Sequence, residues 1–153
     1  MITTVDVETS WQKTETGGYD PSPFHKDNIL VSVGLNSFWG DEYYFTNHSE
    51  RIDKGCFHKI QETLDKTNLL VGHNIKFDLM WLLEAGFKYS GRVYDTMLGE
   101  YILNKGIRKS LTLEMSCRRR KIGSKDSAIK EWMDRGVSFE NIPADVVEEY
   151  GKI

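Results

Sequence analysis

The chain has 153 residues, 39% of them apolar (AVILMFWYC) and 28% charged, with a net charge of −3. That length and composition suit one domain with a real core, and the balanced charge excludes both a disordered tail and a polybasic nucleic-acid coat. No apolar run approaches the roughly 18 residues of a membrane helix, and the start MITTVDVETS lacks the layout of a signal peptide, so the chain reads as soluble and cytoplasmic.

Ile2 to Val7 is short and β-branched, which predicts a strand. Gln12 to Asn28 carries Gly17-Gly18 and Pro21-x-Pro23 among polar side chains, the chemistry of a long loop. Ile29 to Leu35 is nearly all apolar, and Glu42 to Thr46 follows a Trp39-Gly40-Asp41 turn, so these two runs pair as a hairpin. Between Ser49 and Thr67 the residues Ile52, Cys56, Phe57, Ile60 and Leu64 recur at helical spacing, which predicts one amphipathic helix.

Leu69 to Gly72 reads as a short buried strand, and Asn74 to Ala85 as a helix that Gly86 ends. Arg92 to Asp95 is a fifth strand, followed by helices over 96–104, 111–120 and 126–135, with glycines at 106, 123 and 136 as their breaks. Pro143 suits the first turn of a last helix over Ala144 to Tyr150. The order β, ββ, α, β, α, β and then helices predicts an α/β layer fold with a mixed sheet. Cys56 and Cys117 fit no zinc spacing and read as two reduced thiols.

Three constellations carry chemistry. Asp6 and Glu8 are two residues apart on a strand, so period two places both carboxylates on one sheet face. Hard oxygen donors side by side suit Mg²⁺ or Mn²⁺ better than zinc; an edge strand ending in a solvated loop is the other reading of Asp-x-Glu. In Gly72-His73-Asn74-Ile75-Lys76-Phe77-Asp78, Asn74 and Asp78 are four apart on one helix face. That puts Asp78 toward the first strand's end, or leaves Asn74 as a helix cap with a first-turn acid. His73 reads as a local hydrogen-bonding residue. The third constellation is Glu148-Glu149-Tyr150-Gly151, by itself an acidic helix end.

Together, Val5-Asp6-Val7-Glu8-Thr9, His73 to Leu79, Tyr94-Asp95-Thr96, Ser110 to Leu113 and Tyr150 stand in the order of a known set of motifs. The chain resembles the 3′–5′ exonuclease domain of Pol I-type (family A) DNA polymerases, in the DnaQ-like, RNase H-like superfamily. A first motif at residue 1 onward resembles the phage-type members. The resemblance implies a mixed five-stranded sheet flanked by helices, with 1–153 as one exonuclease domain. It also implies a third motif Tyr-x-x-x-Asp whose aspartate would fall one position beyond Ile153, so that the chain would be truncated inside that motif and impaired as it stands.

The resemblance further implies hydrolysis at single-stranded DNA 3′ ends, releasing nucleoside monophosphates with two Mg²⁺ or Mn²⁺ ions. Asp6, Glu8 and Asp78 would be metal ligands, Asp6 shared between the ions, and Tyr150 would orient the attacking water. Val7, Thr9 and Asn74 would position the terminal nucleotide. Trp11 and Phe24 are candidates for stacking on a base, or for burial against the core. Arg118-Arg119-Arg120-Lys121 is a candidate phosphate track, or a solvated helix end. Asp95 reads as the cap of the Thr96 helix. The polymerase domain of a parent chain is the implied partner, with no membrane. Two other readings stay open: a non-catalytic nucleic-acid-binding or polymerase-packing module, and an RNase D-like RNA exonuclease.

Overall fold

The computed structural model describes residues 1–123 and 128–152. Its centre is strand β1 (Ile2–Thr9). Beside it lie β4 (Leu30–Ser37) and then β5 (Gly40–Phe45), which form an antiparallel hairpin. On the other side β6 (Leu69–Gly72) and β7 (Arg92–Asp95) run parallel to β1, giving the mixed order β5-β4-β1-β6-β7. A parallel pair needs a crossover, and the helices α1 (Cys56–Lys66) and α2 (Ile75–Glu84) supply them, as the βα alternation predicts.

Two apolar cores sandwich the sheet. Val5, Val7, Val33 and Leu35 face one core with Ile60 and Leu64 of α1 and Trp81 and Leu82 of α2. Each such side chain, fully buried, contributes roughly 1.5–3 kcal/mol. The smaller core joins Val31 and Phe45 to Ile129 of α5 (Ala128–Asp134), Phe139, Ile142, and Val147 of α6 (Ala144–Gly151). The remaining helices, α3 (Thr96–Leu103) and α4 (Leu113–Arg120), follow β7. Cys56 and Cys117 are free and half-buried.

Three segments differ from the sequence expectation. The helix expected from Ser49 begins only at Cys56: Gly55 sits at φ +71°, Ile52 is 64% exposed, and the Asp53 carboxylate accepts from Phe45 N–H (2.9 Å) instead of joining a helix. The loop from Gln12 to Asn28 contains a two-stranded ribbon, β2 (Gln12–Lys13) with β3 (Tyr19–Asp20), beside which the Trp11 and Tyr19 rings meet tilted, with 4.0 Å between centroids. A 3₁₀ turn at Phe139–Asn141 precedes α6. The helix expected over 126–135 is observed from Ala128; its first positions lie outside the described residues.

Candidate active site

Cross-strand partners share a face, so the register defines what surrounds each carboxylate. Asp6 pairs with Gly34, which pairs with Tyr43, and Glu8 pairs with Ser32, which pairs with Phe45. Asp6, Glu8, Ser32 and Tyr43 therefore lie on one face, opposite the core that takes Val5 and Val7. Asp6 is half-buried and Glu8 is buried.

The third carboxylate arrives through a gap in the ladder. β6 pairs with β1 only at Ile2, Thr3 and Thr4, so from Val5 onward β1 overhangs its parallel neighbour. A buried N–H there needs another acceptor, and Val7 N–H donates to Asp78 Oδ1 at 3.1 Å. Asp78, in the first turn of α2 and buried, is thus fastened to the backbone between Asp6 and Glu8. The same bond occupies the Val7 N–H, and the Val7 side chain is buried in the core on the other face.

Asn74 is exposed at the start of α2, at φ +65°, and its side chain makes no capping bond. Its N–H donates to Asp95 Oδ1 (2.9 Å), which also accepts from Met97 N–H (2.8 Å), so Asp95 caps α3 as expected and fixes the α2 turn as well. His73 is used locally: Nδ1 meets Thr96 Oγ1 (2.9 Å) and Nε2 meets the Leu111 carbonyl (2.6 Å).

Tyr150 lies in the last turn of α6, half-buried, its ring tilted against Phe139 with 6.1 Å between centroids. The helix is anchored at both ends. Ala144 N–H donates to Glu50 (2.9 Å), and Arg51 pairs with Glu148 (2.7 Å). At its far end the Gly151 carbonyl stands 3.2 Å from where a side chain on Gly34 would begin, and a Cβ on Gly151 itself would overlap the Tyr43 ring. Asp145 and Glu149 are exposed.

Tyr43 carries no recognisable motif, and the alternation of Tyr43 and Phe45 against Tyr44 was the only sequence sign of its face. Its hydroxyl meets Ser32 Oγ (2.7 Å) and donates to the Val147 carbonyl (3.3 Å). Burial pushes its ionisation far above the ordinary phenol value; the Ser32 bond opposes this, and Glu8, Asp6 and Glu148 add to it. The phenol thus stays a neutral donor in the negative field of the carboxylates.

Two cavities border these residues. One, of about 360 Å³, holds Asp6, Gly34, Tyr43, His73, Thr96 and Lys152 in its wall. The other, of about 270 Å³, lies at the end of β1 and is lined by Val7, Glu8, Thr9 and Trp11 with Phe77 and Phe139. Trp11 therefore stands at the site, whereas Phe24 is 71% exposed and lines neither cavity. Phe77 and Phe139 join from distant segments; Phe77 is the neighbour of Asp78, which is the one hint the sequence held.

The donor set fits a hard divalent ion in type, being carboxylate oxygen throughout. Among the described residues no group of three or more His, Cys, Asp or Glu side chains is gathered into a metal-holding cluster. Mg²⁺ commonly takes one or two carboxylates and completes its shell with water and substrate phosphate, which suits a pair on β1 with a third carboxylate behind it. The basic run is largely committed: Arg118 pairs with Glu114 (2.8 Å), and Arg119 (3.2 Å) and Arg120 both pair with Glu100.

Residues 13–117 match the family model described as 3′–5′ exonuclease, DNA polymerase A type. The chain belongs to the 3′–5′ exonuclease family. The matched span includes Asp78, Asn74 and Trp81, while Asp6, Glu8 and Tyr150 flank it. The exonuclease chain is also similar in fold to the family B DNA polymerase of the hyperthermophilic archaeon Pyrobaculum calidifontis, with a TM-score of 0.62 and 15% identity over 99% of this chain. A nuclease solved in its apo form superposes with a TM-score of 0.60 and 16% identity over 98% of this chain. The exonuclease domain spans 22% of the polymerase and 64% of the nuclease. This likeness accords with an RNase H-like fold for the chain, a mixed five-stranded sheet flanked by helices. No curated protein matches the sequence, and no described helix is long and apolar enough to cross a membrane.

Proposed function

We propose that this exonuclease domain is a divalent-metal-dependent, proofreading-type enzyme that removes nucleoside monophosphates from single-stranded DNA 3′ ends, as part of a DNA polymerase. The observation that supports this most is the placement of Asp6 and Glu8 on one face of β1, with Asp78 bonded to the Val7 N–H between them (3.1 Å), Asp6 lining one cavity and Glu8 the other.

In this reading Asp6 and Glu8 hold Mg²⁺ or Mn²⁺, and Asp78 contributes from behind β1. When bound, such ions supply an activated water and stabilise the leaving 3′ oxygen. The aromatic cavity beside Glu8 receives the terminal base, because Trp11, Phe77 and Phe139 offer apolar walls that accept any base. Val7 and Thr9 flank that cavity, and Asn74, exposed at the α2 turn, stands free to meet a sugar or phosphate. Tyr150 orients the attacking water from α6, whose position Tyr43 fixes through the Val147 carbonyl.

A 5′-labelled oligo-dT incubated with the protein and Mg²⁺ tests this. The expected result is stepwise shortening from the 3′ end, stopped by EDTA and reduced at least about 100-fold by Asp6→Asn. Equal shortening by the variant overturns the assignment, and faster turnover of a matched RNA overturns the choice of DNA.

A further inference from the structure

The chain carries a net charge of −3, yet between Glu100 and Lys121 there are seven Lys or Arg residues against two acids. The structure sorts those cations into two kinds. Arg119 and Arg120 turn onto Glu100, whose carboxyl they hold below its ordinary range, Arg120 foremost, and Arg119 also donates to the Ser110 carbonyl at 2.7 Å. These braces join α4 to α3 and to the loop between them. Lys105, Arg108, Lys109 and Lys121 are different: all are exposed, and none makes an ion pair among the described residues.

Exposed apolar side chains are interleaved with these free cations. Tyr101 is 57% exposed, Ile102 71% and Ile107 62%. Cations alternating with stackable or apolar groups form the surface that a nucleic-acid backbone uses, phosphates on the cations and bases on the flat faces. The loop is also fastened to the candidate site. His73 clamps the Leu111 carbonyl (2.6 Å) to the β6–α2 turn, and both Thr96 and Leu113 line the cavity that contains Asp6. Lys109 is four residues from Leu113, a reach of at most about 14 Å.

We propose that the α3–α4 loop, through Lys105, Arg108 and Lys109, is a phosphate-binding surface for the strand that leads away from the bound 3′ end. The direction of the strand rests on the exonuclease reading; the surface itself does not require hydrolysis. Arg119 and Arg120 are excluded from it because both are held on Glu100, and Arg118 because it pairs with Glu114, so the cations assigned to the surface lie in the loop and not among the three arginines that the sequence makes conspicuous.

The test is binding of fluorescein-labelled dT15 and dT3 in EDTA, by anisotropy, across a KCl series, for wild type and the triple variant Lys105→Ala/Arg108→Ala/Lys109→Ala. Each phosphate contact on a single strand contributes about 0.7 to the slope of log K against log salt. The expected result is a dT15 slope shallower by about 2 and an affinity at least about tenfold weaker at low salt, with dT3 binding unchanged. Single variants should each lower the slope by about 0.7, which keeps the result readable if the triple variant melts early. A control triple in α1 and the turn before it, Lys54→Ala/Lys59→Ala/Lys66→Ala, removes the same charge outside the loop and should leave the slope as it is.

An unchanged dT15 slope in the loop variants, an equal change in the α1 variant, or no wild-type binding of dT15 each overturns the proposal. So does a loop variant that keeps its DNA affinity but changes its self-association in sedimentation, which would assign the surface to a protein partner. Loss of stepwise hydrolysis with these binding results intact would instead overturn the catalytic reading alone.

Discussion

Val5 and Val7 leave β1 on the side closed by α1 and α2, where Ile60, Leu64, Leu70 and Leu82 are almost wholly removed from water. Asp6 and Glu8, each one residue away, leave on the side that carries the two cavities and the end of α6. One strand thus serves two sets of demands, packing at the odd positions and charge at the even ones. A substitution on the first side should be felt in stability, and one on the second in ligand chemistry.

The largest expected effect on stability is on the packed side. Leu82→Ala opens a cavity where nothing can relax into it, and should cost about 2–5 kcal/mol by urea denaturation. A loss below 1 kcal/mol would mean that this core is not the closed one. Asp78 belongs to both sides. Asp78→Ala leaves the Val7 N–H without its acceptor and should cost about 1–3 kcal/mol, whereas Asp78→Asn keeps an acceptor oxygen and should cost less. Equal destabilisation by both would detach the residue's structural role from that bond.

Gly151→Ala probes the join of α6 to the charged side. A methyl there overlaps the Tyr43 ring, so the helix end or the ring must move, with a loss of about 1–3 kcal/mol in thermal or urea melts. Crystallography of the variant should find Tyr43 or Tyr150 displaced.

The smallest effect is in acid. Burial raises the Asp53 carboxyl, but the Phe45 N–H and Arg51 outweigh it and leave its pKa below the ordinary 3.8. Glu148 is likewise held below its ordinary value, by Lys152 first and then, against burial, by Lys152's charge and Arg51. A carboxylate with a depressed folded pKa stabilises above its unfolded value, and that stabilisation is lost as the pH falls through the folded one. Tm should therefore decline below about pH 4, and Asp53→Asn should flatten the decline. An identical pH profile for the variant would remove this pair from the account.

Local signals made much of this legible. The β-branched start of β1, the apolar run of β6, the Gly86 stop after α2 and Asp95 before α3 are short-range chemistry, and each element stands where the sequence predicts it. Period two was enough to put Asp6 and Glu8 on one face. What the sequence hid depends on distant partners. Ser49 to Gly55 has a helical apolar pattern but spends Asp53 on the Phe45 backbone and Arg51 on Glu148. The aromatic cavity draws Trp11, Phe77 and Phe139 from three segments that no periodicity connects. The division of the arginine run from the loop cations follows from the positions of Glu100, which takes Arg119 and Arg120, and Glu114, which takes Arg118.

The central claim is that the even side of β1 is a place for divalent ions and not for structural charge. Mn²⁺ titration of wild type and Asp6→Asn by calorimetry, with Tm measured on the same samples, tests it most directly. The account predicts that wild type binds Mn²⁺, that the variant's affinity falls at least about tenfold, and that its Tm without metal falls by less than that of Leu82→Ala. Equal Mn²⁺ binding by the two proteins, or a Tm that falls as a packed-side substitution would make it fall, would contradict it.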